Sequence, residues 1–105
     1  MNSNLKGKTF ERWVARYLRE SGHKDARRGQ QYKGGADSPD VIGLDGFHVE
    51  CKNTEQWNAY KFMEQSIRDA ADGEKPIVIA KKNRHEPLVI MRLDDFMEVI
   101  HGRRP

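Results

Sequence analysis

The chain has 105 residues, 36% hydrophobic and 33% charged, which suits one small domain over residues 1–105 with a modest core and argues against a disordered chain or a multidomain protein. Nineteen basic against sixteen acidic residues leave a net charge of +3, too mild to establish a nucleic-acid partner, so the placement of charge matters more than its sum. The lone Cys51 excludes an internal disulfide and a cysteine-rich zinc site, and no apolar run is long enough for a membrane span or a signal-peptide core, so a reduced, cytoplasmic setting is expected.

Residues from about Leu5 to Ser21 read as a helix. Phe10, Trp13, Val14, Tyr17 and Leu18 form one apolar stripe at helical spacing, and Gly22 supplies a stop. Glu11 lies beside that stripe, an odd place for a carboxylate unless something at the edge of the core needs it. Lys8, Arg12, Arg16 and Arg19 make a second, basic stripe, which reads equally as a solvated helix face or as a contact to phosphates.

Residues 24 to 28 suit a short strand, and Gly29 to Pro39 a glycine-rich loop. Val41–Leu44 and Phe47–Cys51 are two further strands, with Asp45-Gly46 as a hairpin signal between them. A hairpin closed there sets Asp40, which opens one strand, beside Glu50, late in the other. In "HVECK", parity puts Phe47, Val49 and Cys51 on one face and His48, Glu50 and Lys52 on the other. Cys51 reads as a buried small hydrophobe, and His48 as a surface residue rather than a ligand; the four histidines, His23, His48, His85 and His101, lack metal-ligand spacing.

A second helix is expected from Asn58, its N-cap, to Asp72, with Gly73 as the stop and Met63, Ile67, Ala70 and Ala71 on its buried side. "PIVIA" is a continuous apolar run of the kind a fully buried strand requires. "KKNRHEP" is a basic turn, "LVIMRL" another strand, and Asp94 or Asp95 caps a last helix that runs through Ile100 to His101-Gly102. Trp13 and Trp57 read as core or interface aromatics. The order of elements predicts a mixed α/β sheet with helices packed on it.

Glu50-x-Lys52 is a common strand pattern by itself, and Asp40 after Pro39 a common turn opening. The hairpin couples them. Two carboxylates converging at one strand end repel each other, and a divalent cation with hard oxygen ligands, Mg²⁺ or Mn²⁺, relieves that repulsion. Arg27, Arg28 and Lys33 flank the glycine-rich loop that leads into Asp40, where a phosphate backbone would arrive.

"SPDV" followed by "VECK" resembles the signature of the PD-(D/E)XK nuclease superfamily, with Pro39-Asp40 and Glu50-x-Lys52 at its positions. "KGKTFERWVARYLRESGH" and "CKNTEQWNAYKFMEQSIRDA" are similar to the first and second helical regions of its archaeal- and phage-type Holliday-junction resolvase-like members, so the likeness spans nearly the whole chain. The resemblance implies a restriction-endonuclease-like core in the order α-β-β-β-α-β-β-α and a metal-dependent DNA endonuclease, phage-encoded or otherwise intracellular. It implies that Asp40, Glu50 and the backbone carbonyl of Cys51 hold the ion, that Glu11 binds the ion or its water shell, and that Lys52 acts on the attacking water or the transition state. Gln65 either completes this polar cluster or is an ordinary helix residue. DNA contacts are expected from Arg27, Arg28, Lys33, Lys8 and Arg12. The implied substrate is branched DNA, cut by a homodimer whose two-fold symmetry matches a junction's paired strands. A restriction- or repair-type nuclease on linear or damaged duplex, and a non-cleaving nucleic-acid-binding module of the same fold, are the alternatives.

Overall fold

The computed structural model describes residues 3–29 and 38–102. Lys33 and the Gly34-Gly35 pair lie outside the described residues. Helix α1 (Ser3–Glu20) ends as its sequence demands. Gly22 adopts φ 109°, and the amides of His23 and Gly22 donate to the carbonyls of Leu18 (2.9 Å) and Arg19 (3.1 Å), the paired bonds that close a helix on a left-handed glycine.

Five strands follow: β1 (Arg27–Arg28), β2 (Val41–Ile42), β3 (Phe47–Asn53), β4 (Lys75–Lys81) and β5 (Leu88–Met91). They lie side by side in chain order, with β3 and β4 parallel and the other pairs antiparallel. The parallel pair requires a crossover, which helix α2 (Ala59–Asp69) provides. This mixed sheet flanked by helices is compatible with a restriction-endonuclease-like core.

Alternation along the central strands builds two cores. Val49 of β3 and Ile77 and Ile79 of β4 face α1, where Phe10, Val14, Ala15 and Val41 join them. Val78 and Ala80 face the other way, under Phe62 and Met63 of α2. Strand β3 is therefore covered on both sides, and the face that carries His48, Glu50 and Lys52 lies beneath α2. Pro76 to Ala80 are all buried, as the apolar run predicts.

Several boundaries differ from the sequence expectation. Strand β2 stops at Ile42 because Gly43 turns to φ 97°. Asn58 caps α2 through a bond from the Lys61 amide (3.0 Å), but the helix ends at Asp69 and Gly73 serves the next turn. The buried side of α2 is Phe62, Met63 and Ser66, whereas Ile67 and Ala71 are exposed. Its roll is set by Ser66, whose hydroxyl reaches the carbonyls of His48 (3.1 Å) and Ile77 (3.0 Å). Helix α3 (Leu93–His101) has Arg92, not Asp94 or Asp95, at its N-cap. The two aspartates lie in the first turn, and Gly102 closes the helix in the left-handed conformation.

Candidate active site

The hairpin brings the two predicted carboxylates together. Val41 pairs with Val49, the turn closes at Asp45-Gly46 through the Phe47 amide and Leu44 carbonyl (3.2 Å), and Asp40 donates its amide to the Val49 carbonyl (2.9 Å). The Asp40 carboxylate turns back onto β3, where its Oδ2 accepts the Cys51 amide at 2.8 Å. Asp40 is thus held at the end of β2, beside Glu50. Lys52, two residues along the same face, donates to Oε1 of Gln65 at 3.4 Å. That contact brings Gln65 into the polar cluster. Lys52 and Gln65 open on a cleft of about 620 Å³ that Trp57 and Lys61 also line.

The electrostatics follow from burial. Glu50 is 1% exposed. Burial first, and the adjacent Asp40 carboxylate second, push its pKa from 4.5 up to about 8, against the pull of Lys52. Glu11 reaches the same region from α1, on the opposite side of the sheet. Its carboxylate pairs with Arg28 at 2.9 Å, yet burial outweighs that bond and, with Asp40's charge, raises its pKa. The Cys51 thiol is pushed up by burial and by the surrounding carboxylates, which leaves it protonated and chemically inert.

Residues 2–104 match the family described as "Phage putative PDDEXK endonuclease". The chain belongs to this family. No curated protein and no solved structure gives a significant match. Membership in a phage PDDEXK endonuclease family assigns a nuclease, and DNA as the class of substrate.

In this PDDEXK endonuclease, Asp40 and Glu50 set two carboxylates beside each other at one strand end, and such hard oxygen groups, with the Cys51 carbonyl, would suit Mg²⁺ or Mn²⁺. The buried Glu50, driven toward its neutral form despite the pull of Lys52, is a place a cation would fit.

Basic residues expected to meet phosphates divide in the structure. Arg27, Lys8 and Arg12 are exposed. Arg28 is committed to Glu11, Arg16 pairs with Glu20 (3.2 Å), and Arg19 donates to the Ala26 carbonyl (2.8 Å). Lys33 lies outside the described residues.

The expectation of a surface His48 is overturned. The residue is 1% exposed, and its Nε2 lies 2.8 Å from Glu50 Oε2. Parity placed it correctly on the Glu50 face, but that face is roofed by α2. Asp69 was missed. It ends α2 one turn after Gln65, so the i, i+4 spacing was the available signal, and its charge raises the pKa of Glu50 further.

Proposed function

We propose that the chain is a Mg²⁺- or Mn²⁺-dependent endodeoxyribonuclease that hydrolyses phosphodiester bonds in branched DNA. The observation that carries this reading is the juxtaposition of Asp40 and Glu50 across the β2–β3 hairpin, with Lys52 on the same face. Asp40, Glu50 and the Cys51 carbonyl hold the cation, which when bound lowers the pKa of a coordinated water and neutralises charge on the scissile phosphate. Lys52, kept near the cluster by Gln65, supplies positive charge to the phosphate in the transition state. Glu11, anchored by Arg28, adds negative charge at the cluster's edge and favours a cation or its water shell there. Exposed Arg27, Lys8 and Arg12 contact the DNA backbone.

The acting species is a homodimer. Helix α3 has no buried residue, although Leu93, Phe96, Met97, Val99 and Ile100 are apolar. A second copy gives these side chains a place to bury, and a two-fold dimer presents two sites to the paired strands of a junction.

The test is a panel of end-labelled four-way junction, flap and linear duplex DNAs, incubated with Mg²⁺ and, in parallel, with chelator. Cleavage of the junction ahead of the linear duplex, lost with chelator, is the expected result. Equal rates on linear duplex assign a restriction- or repair-type nuclease, and binding without cleavage assigns a non-cleaving module.

A further inference from the structure

The polar face of β3 carries more ligand chemistry than the Asp40–Glu50 pair uses. One donor atom each from His48, Glu50 and Asp69 lie within 4.8 Å of one another. Imidazole and carboxylate ligands bind a divalent transition metal at about 2.0–2.2 Å, so these atoms need only a small closure to share one ion.

A closed hydrogen-bonded cluster does not account for the group. The Nε2 of His48 serves Glu50 Oε2 at 2.8 Å, and its Nδ1 lies 3.8 Å from Glu74 Oε1. Arg68 takes Oδ1 of Asp69 at 3.3 Å. That leaves Oδ2 of Asp69 without a hydrogen-bond partner among the described residues, on a side chain only 6% exposed. An unsatisfied buried carboxylate oxygen costs stability unless a donor or a cation meets it. A cleft of about 700 Å³, lined by Pro39, His48, Arg68, Asp69 and Glu74 among others, reaches the His48 and Asp69 side of this group.

We propose that His48, Glu50 and Asp69 form a second divalent-cation site, one that prefers a transition metal such as Zn²⁺ or Mn²⁺ to Mg²⁺. The preference follows from the imidazole nitrogen, which suits transition metals, beside two carboxylate oxygens. Glu50 is shared with the Asp40 site. The two sites are therefore distinguished through Asp40 on one side and through His48 and Asp69 on the other. The proposal does not depend on DNA cleavage.

The experiment is a Zn²⁺ titration of the full chain followed through the imidazole ¹⁵N resonances, with those of His48 assigned by their loss in His48→Gln. In wild type, Zn²⁺ shifts the His48 nitrogens and Mg²⁺ does not. Asp40→Asn keeps the shift, and Asp69→Asn weakens Zn²⁺ binding at His48 by roughly tenfold or more. A His48 ring unmoved by millimolar Zn²⁺ overturns the proposal and leaves a hydrogen-bonded cluster only. So does undiminished binding in folded Asp69→Asn. Loss of the shift in Asp40→Asn also overturns it, because the ion then sits in the Asp40 site. The wild-type titration decides alone if a variant fails to fold.

Discussion

At the residue scale, Glu50 concentrates the tension in this molecule. With a native pKa of about 8 against 4.5 unfolded, the native state keeps a proton that the unfolded chain has released between those values. Stability in chelator therefore falls as pH rises through that window, by up to about 1.4 kcal/mol per pH unit. Urea unfolding across that range should show this slope in wild type and a flatter one in Glu50→Gln; equal slopes would place the titration elsewhere. Because the ligand must be deprotonated, the rise in melting temperature given by Mn²⁺ should grow toward the alkaline end of the window. The placement of Asp40 beside Glu50, with Lys52 on the same strand face, was legible in the sequence because a hairpin signal and strand parity are local. The burial of His48 was not, since it depends on how α2 rolls over the sheet. That roll follows from Ser66 bonding two strand carbonyls, a contact across the chain that no periodicity announces.

At the element scale, the hairpin that positions Asp40 relies on a close approach the sequence did not disclose. A Cβ on Gly43 would stand 2.5 Å from both the Ala26 Cα and the Asp25 carbonyl oxygen, at φ 97°. Gly46, at the turn itself, has open space around it despite φ 86°. Gly43→Ala should cost roughly 1–3 kcal/mol and exceed the cost of Gly46→Ala, as backbone must shift only in the first. Denaturant midpoints for the two variants check the order, and a reversed order would contradict this account of the hairpin. The long helices and the buried β4 were readable because stripes and apolar runs extend over many residues. The end of α2 was not: Ala70 takes an extended conformation (ψ 136°) well before the obvious stop at Gly73. The mistaken inward placement of Ile67 and Ala71 came from reading hydrophobicity where polar Ser66 and Asp69 turn inward instead.

At the scale of the whole molecule, α1 and α2 enclose the sheet while α3 stays uncovered, tied by a Lys75–Glu98 ion pair at 2.9 Å. Light scattering at micromolar concentration should return a dimer, and Phe96→Glu with Ile100→Glu should shift it to a monomer that keeps the wild-type circular dichroism but melts lower, having lost the stabilisation that association gives. A wild-type monomer, with and without DNA, would contradict the dimer. Arg27 is exposed, and with the DNA contact proposed for it Arg27→Ala should reduce the log–log salt slope of duplex binding by about 0.9; an unchanged slope would put the DNA elsewhere. The central claim is that the β2–β3 strand end is the catalytic centre, and its most direct test is single-turnover cleavage of junction DNA in Mg²⁺. Folded Asp40→Asn and Glu50→Ala should not cut, and Lys52→Ala should lose roughly a hundredfold or more while still binding the ion. Folded Glu50→Ala cutting at the wild-type rate would contradict the account.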